Sequence, residues 1–312
     1  MDKNGIFPLV SVVVPGYSHA RYLRQRIDSV LVQNYPNIEI ILLDDCSTDE
    51  SADIMLSYGD NPKISHIVVN KENTGNPFLQ WIKGIELAQG DYIWIAESDD
   101  SAEPDFVSKL MTSLINTPDA VLAYSGSYFI DDKGEILNYT WDGKVSNVRG
   151  AIYDGKDFSI RKMVYTNRLY NASMIVFSKK AFAGIDRTFT KFKHGGDWLF
   201  WFEIIQRGKV CEVPEKLNYF RQHDNKVSNN AKKSGANFDE NAAIQSIFIE
   251  KLHLSAYQQM CIRGRQTKRL NKLPQEQVEC LKEKYPMIYN GTLLDALVYA
   301  TDKITGLSGF CR

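Results

Sequence analysis

The first hundred residues of the chain combine two periodicities that together fit a layered α/β sheet. Leu9-Val10-Ser11-Val12-Val13-Val14 is a run rich in β-branched residues, stopped by Pro15-Gly16. A run this apolar suits a strand covered on both faces. Residues 20–33 follow with Leu23, Ile27, Val30 and Leu31 at helical spacing. Residues 38–43, 64–69 and 92–96 repeat the strand pattern, and 76–88 repeat the helical one. Ser47 or Thr48 is placed to cap an intervening helix, with Asp49 and Glu50 in its first turn. The order βαβαβαβ predicts a mostly parallel sheet flanked by helices.

Beyond about residue 105 the pattern loosens. Residues 120–130 read as a strand, 132–134 as a turn, 136–139 as a returning strand and 171–177 as a further strand. A short helix is expected over 197–207 and a short strand over 219–221. From 229 the chain reads as helical, with Lys232-Lys233-Ser234-Gly235 as a linker. The expected division is 1–105 and 106–228 as two halves of one α/β body, and 229–312 as a helical extension.

Charge narrows the function. Lys and Arg number 37 and Asp and Glu 38, a net charge of −1, which disfavours a dedicated nucleic-acid binder. The balance is uneven: residues 229–312 carry +4 and the remainder −5. Five cysteines, at 46, 211, 261, 280 and 311, form no CxxC pair and read as reduced thiols. No apolar run reaches the ~18 residues of a spanning helix, and the N-terminus shows no secretory signal. A cytoplasmic protein is expected.

Ligands of open α/β sheets bind outside the carboxyl ends of the strands. Pro15-Gly16-Tyr17 follows the first strand, Asp44-Asp45-Cys46-Ser47-Thr48-Asp49 the second, and Glu97-Ser98-Asp99-Asp100 the fourth. Two acidic clusters thus converge on one rim, where they repel unless a cation or hydrogen-bond donors join them. A carboxylate there can accept from a nucleobase or ribose, the role suited to Asp45. It can also hold Mg²⁺ or Mn²⁺ against a substrate diphosphate, the role suited to Asp100. Tyr17 offers a flat surface to a nucleotide. Each cluster taken alone is also explained as helix caps and turns.

The segments Val10-Ser-Val-Val-Val-Pro-Gly-Tyr17, Ile41-Leu-Leu-Asp-Asp-Cys-Ser-Thr-Asp49 and Gly90-Asp-Tyr-Ile-Trp-Ile-Ala-Glu-Ser-Asp-Asp100 resemble the family 2 glycosyltransferases over about residues 7–227. The resemblance implies the GT-A fold, a nucleotide diphosphate sugar donor, a divalent metal and an inverting transfer. Pro15, Tyr17, Asp45, Ser98 and Asp99 would bind the nucleotide, and Asp100 the metal. Cys46 replaces the family's usual glycine, a change expected to need a negative φ. Asn73-Thr74-Gly75 resembles the family's Asn-x-Gly loop. The usual arginine of the next helix is absent, and Trp81 and Lys83 stand near its place.

His194-Gly195-Gly196-Asp197-Trp198 resembles the family's Glu-Asp or Gly-Asp motif and implies Asp197 as general base, where the alternative is a helix cap. Trp198 and Trp201 are open to two readings, an acceptor-site wall or core. Tyr219-Phe220-Arg221-Gln222-His223, with Asn225 and Ser228 beyond, resembles the family's Arg-x-His segment. His223 then serves as a metal ligand or a structural histidine, and Arg221 pairs with diphosphate or with a local carboxylate. Arg263, Arg265, Lys268, Arg269 and Lys272 form a basic stretch without acids, read either as a peripheral contact with anionic lipid or as a solvated helix face. The segment from Gly291 to Phe310, with Leu293, Leu294, Leu297, Val298 and Tyr299, is expected to pack on the body. The family setting points to a glycan or lipid-linked acceptor in bacterial cell-surface polysaccharide synthesis. The rival readings are a sugar-1-phosphate nucleotidyltransferase, which wants a glycine-rich basic loop after the first strand, and a non-catalytic nucleotide-sugar-binding module. The absence of GxGxxG disfavours a dehydrogenase.

Overall fold

The computed structural model describes residues 5, 7–138, 150–223, 236–271 and 273–310. Its sheet starts from the runs legible in the sequence. β1 (Val10–Gly16), β2 (Ile38–Asp44), β3 (Ile64–Val69) and β4 (Tyr92–Ile95) are parallel, with β1 and β2 buried along their whole length. The crossovers are α1 (Ala20–Leu31), α2 (Ser51–Leu56) and α3 (Pro77–Leu87). α1 buries Leu23, Ile27 and Val30, and α3 starts on Asn76, whose side chain accepts from Phe78 N at 2.9 Å. Neither Ser47 nor Thr48 caps α2; Glu50 occupies that place. The Ser47 hydroxyl is drawn instead to the backbone N–H of Ser18, at 2.8 Å.

The second half completes the sheet with β5 (Ser101–Ala102), β6 (Ala120–Ile130), β7 (Ile152–Asp154), β8 (Ile175–Ser178) and β9 (Lys209–Arg221). The strand order is β3-β2-β1-β4-β8-β6-β9-β5, with β7 on β9. β8 runs antiparallel between β4 and β6, so the parallel half and the mixed half form one surface. The expected strand over 171–177 begins as a 3₁₀ turn, Ala172–Met174, because the Asn171 side chain accepts from Ser173 N at 2.7 Å. The returning strand at 136 is only a bridge to Ile130, and residue 139 lies outside the described residues. The short strand expected at 219–221 is the end of the thirteen-residue β9.

The remaining helices are α4 (Phe106–Asn116), α5 (Gly155–Phe158), α6 (Lys179–Phe182), α7 (Gly196–Ile205), α8 (Ala236–Lys251), α9 (Ala256–Leu270), α10 (Gln275–Lys284), α11 (Pro286–Tyr289) and α12 (Leu293–Thr305). α1, α2 and α4 cover one face of the sheet, with Leu23, Ile27, Met55, Phe106 and Leu110 in the core. On the other face the core is continuous from Phe78, Trp81, Phe200 and Trp201 into Phe248, Ile262, Leu281 and Phe310 of the C-terminal helices. The C-terminal segment is therefore a further layer, packed on α7 and on Val164 and Tyr165.

Two parts of that segment are defined by their partners. Among the five cations of the basic stretch, Arg263 pairs with the buried Asp295 at 2.9 Å, Arg265 lies 4.4 Å over the Tyr165 ring, and Arg269 lies 5.0 Å over Phe238. Lys268 is exposed and Lys272 lies outside the described residues. The stretch is thus largely spent on internal contacts. The segment from Gly291 to Phe310 packs on the body as expected, through Val298, Tyr299 and Phe310, but Asp295 and Asp302 of α12 are buried while Leu293, Leu294 and Leu297 face solvent, Leu293 with 79% exposure. Asp295 turns inward because it closes a capping box with Thr292 and meets Arg263, and Asp302 because it accepts from Ser308.

Candidate active site

The carboxyl ends of β1, β2 and β4 share one rim, since all three strands are parallel. Pro15 is buried at its base and Tyr17 projects, 46% exposed. The turns after β1 and β2 are stitched together through Ser18 N to Ser47 Oγ, and Ser18 adopts φ 53°. Cys46 adopts φ 62°, which overturns the expected negative φ. The backbone keeps the left-handed geometry of the family's glycine, at a strain of about 1–2 kcal/mol for a residue with a Cβ.

Asp45 is filled from within the protein. Its carboxylate accepts from Asn70 Nδ2 at 2.7 Å, Gln80 Nε2 at 2.8 Å, Thr74 Oγ1 at 2.7 Å and Thr74 N at 3.1 Å. Asn73 Nδ2 donates to its backbone carbonyl at 2.9 Å. Asp45 thus shapes the Asn73-Thr74-Gly75 loop, and a nucleobase contact would have to share a carboxylate already supplied with donors. Lys83 Nζ reaches Asn70 Oδ1 at 2.6 Å and Trp81 Nε1 reaches Glu97 Oε1 at 2.8 Å, so both side chains near the missing arginine point inward.

The Glu97-Ser98-Asp99-Asp100 cluster divides by partner. Asp100, expected as the metal ligand, is 1% exposed and accepts from Asn171 Nδ2 (2.7 Å), Ser173 Oγ (2.8 Å) and Arg221 N (2.9 Å). Buried donors from β9 and the 171–173 turn therefore surround it. Ser98, expected at the nucleotide, is also buried, and its hydroxyl lies 2.8 Å from His19 Nδ1. Arg221, expected at the diphosphate, donates to Asp99 O, Asp131 O and Gln25 Oε1 and is buried; it ties β9 to the acid loop. Burial, then the neighbouring Asp99 and Asp100, push Glu97 up to about 8, so it is largely protonated at neutral pH. Arg26 is the buried countercharge. Its Nε donates to Glu97 O at 2.8 Å, its guanidinium lies 5.5 Å over Trp94, and burial lowers it only to about 10.

Asp99 belongs to a cluster that could hold a cation. His19, Asp99 and His223 each offer one ligand atom, all within 4.8 Å of one another, and His223 Nε2 lies 3.1 Å from Asp99 Oδ2. Two imidazoles and a carboxylate form a donor set that suits Mn²⁺ better than the all-oxygen preference of Mg²⁺. The sequence reading missed His19, although a histidine three residues past β1 was a usable signal. Asn225 and Ser228 lie outside the described residues.

Asp197 opens α7 on the same side. Gly196 sits against Phe78 of α3, and Trp81 of α3 carries the line of contacts to Glu97. Asp197 Oδ2 accepts from Asn167 Nδ2 at 2.8 Å, a partner the sequence did not flag. Burial pushes Asp197 up to about 7, against the lowering by Trp198 N and Asn167, and Glu240 adds to the rise. Trp198 and Trp201, one reading of which was an acceptor wall, are core. Trp198 Nε1 donates to Met163 O, and Trp201 packs among Trp81, Phe177 and Phe200.

A mixed sheet in this order, with acids at the carboxyl rim of its parallel half, defines a GT-A nucleotide-sugar fold. Structures of S. aureus TarS share it: TarS 1–349 in complex with UDP-GlcNAc aligns with a TM-score of 0.59 at 16% identity, over 77% of this chain and 66% of that one. Residues 11–183 match the model of glycosyl transferase family 2, and the chain belongs to that family. An uncharacterised glycosyltransferase of Rickettsia typhi is 29% identical over 255 residues, 81% of this chain and 75% of that protein. The putative teichuronic acid biosynthesis glycosyltransferase TuaG of Bacillus subtilis is 39% identical over 102 residues, 33% of this chain and 40% of its own length. Among the described residues no helix is long and apolar enough to cross a membrane.

Proposed function

We propose that the chain is an inverting glycosyltransferase that moves a sugar from a nucleotide diphosphate sugar to an acceptor hydroxyl. The observation that carries this reading is Asp197, a carboxylate pushed up to about 7 at the start of α7. A base of that strength removes a hydroxyl proton efficiently near neutral pH. Inversion requires it to act on the face of the sugar opposite the leaving group.

Tyr17 and the Asp45-organised loop would flank the nucleotide. His19, Asp99 and His223 would hold a divalent metal, Mn²⁺ by their donor set. That ion supplies charge neutralisation for the departing diphosphate. Asn167 orients Asp197 as it takes the acceptor proton. Asp100, Arg221 and Arg26 keep the acid loop in place without touching substrate. The TarS complex with UDP-GlcNAc supports a uridine nucleotide donor, and TuaG supports an acceptor in bacterial surface-polysaccharide synthesis. The test is UDP release from UDP-GlcNAc, UDP-glucose and UDP-galactose with Mn²⁺. Asp197→Asn is expected to bind donor and lose turnover, and Asp99→Ala to lose metal-dependent donor binding. Normal turnover by purified Asp197→Asn would sink the mechanism.

A further inference from the structure

Three consecutive backbone N–H groups ahead of Asp197 point at one carboxylate from the C-terminal layer. Glu240 of α8 accepts from Lys193 N at 2.8 Å through Oε1, and from His194 N at 2.9 Å and Gly195 N at 2.8 Å through Oε2. α7 has no side-chain cap of its own, since Gly195 stands at its N-cap. Glu240 thus brings an anion from another helix to the N-cap residue and the two residues before it, next to the positive end of the α7 dipole. Such N–H to carboxylate bonds are about twice as strong as neutral ones.

The packing on either side of the turn is close. A Cβ at Gly195 would lie 2.8 Å from Ile244 Cδ1 of α8, and one at Gly196 would lie 2.3 Å from Phe78 Cε2 of α3. The turn before Asp197 is thus held between α3 and α8. α8 is in turn locked along α7. Phe248 packs on Trp198 and Phe202 at ring separations of 5.4 Å and 4.3 Å, and Lys251 pairs with Glu203. Gln245 Nε2 donates to Val164 O at 2.9 Å, fixing α8 to the segment that leads to Asn167.

We propose that Glu240 is a positioning residue for Asp197: it holds residues 193–195 so that the Asp197 carboxylate leaves α7 in one orientation, which makes the C-terminal layer part of the transfer machinery. The proposal rests on Asp197 being the base. Glu240 also acts through its charge. It adds to the burial that raises Asp197, whereas the direct partner Asn167 is neutral. Lys193 and His194 belong to the clamped turn, and the packed faces of α3 and α7 present Phe78 and Trp198.

Glu240→Gln removes the charge and sets an NH₂ donor against backbone N–H donors. Carbon-13 carboxyl titration by NMR, with Asp197→Asn to assign the signal, is expected to show the Asp197 midpoint falling by about 0.5–1 unit in Glu240→Gln. In UDP release from UDP-GlcNAc with Mn²⁺, kcat should fall about tenfold with the donor KM within twofold, and its acidic limb should move to lower pH by the same amount. Glu240→Asp keeps the charge but loses reach, so it should restore the limb while kcat stays below that of the parent chain. Asp239→Asn, at an exposed pair with Lys284, serves as the control. An unmoved midpoint in folded Glu240→Gln overturns the proposal. So does a loss of kcat that tracks a fall in Tm with the limb unmoved, which marks a merely structural contact. Turnover retained by Asp197→Asn overturns the base assignment itself, whatever Glu240 does.

Discussion

Replacing Asp197 by Asn should make the protein more stable and inactive, with a pH signature that exposes the cause. The Asp197 carboxyl is raised from 3.8 to about 7, first by burial. A carboxylate whose folded value lies above its unfolded one costs stability when ionised. That cost is absent below about pH 4, grows as pH rises, and levels off above about 7. Three units at about 1.36 kcal/mol each set a ceiling of about 4 kcal/mol. Asp197 keeps some contact with solvent, so about half of that is expected. Asn can still accept from Asn167 Nδ2, which preserves the local hydrogen bond. The stability gain of Asp197→Asn should therefore rise by about 1–2 kcal/mol between pH 5 and pH 8. Glu97, raised to about 8, is common to both chains and cancels. Urea denaturation at the two pH values measures the difference. A gain that is flat with pH, or a loss that grows with pH, would refute the burial argument. Stability gained together with turnover lost is the trade expected of a catalytic group.

Three further outcomes follow from the site. Arg26→Met should cost about 3–5 kcal/mol in urea denaturation, because it strips the buried countercharge from Asp99 and Asp100. Cys46→Gly should raise stability by about 0.5–1 kcal/mol, the left-handed strain relieved less the extra chain entropy of glycine, read as a higher urea midpoint. Ser98→Ala should weaken Mn²⁺ binding about tenfold by electron paramagnetic resonance, since the hydroxyl that orients His19 is lost.

The parallel half of the sheet was legible because its signals are local. A strand buried on both faces reads as a near-continuous apolar run, and β1 and β2 interrupt theirs only with Ser11, Glu39 and Asp44. The mixed half was harder to read. α4 and most of β9 went unseen, because β9 is half polar, with Glu212, Glu215, Lys216 and Asn218 in its run. α12 shows the limit of composition. Val298 and Tyr299 pack on the core, yet a capping box and the pair with Arg263 turn Asp295 inward and leave Leu293, Leu294 and Leu297 in solvent.

The acids of the site divide in the same way. Short-range pattern was enough to place carboxylates at the ends of β2 and β4 and Asp197 at the start of α7, since strand ends and helix starts are set by neighbouring residues. How the acids of the fourth-strand cluster are partnered was decided only by the tertiary structure. Asp99 and Asp100 are adjacent and chemically equal, but Asn171, Ser173 and Arg221 arrive from 71 to 121 residues away to fill Asp100. Asp99 instead lies with His19 and His223, whose ligand atoms are within 4.8 Å of its own. The anion for α7 likewise comes from Glu240, 45 to 47 residues along the chain. Local sequence can propose a charged group. Its availability depends on which distant donors reach it first, because a buried carboxylate takes every hydrogen bond that packing brings within range.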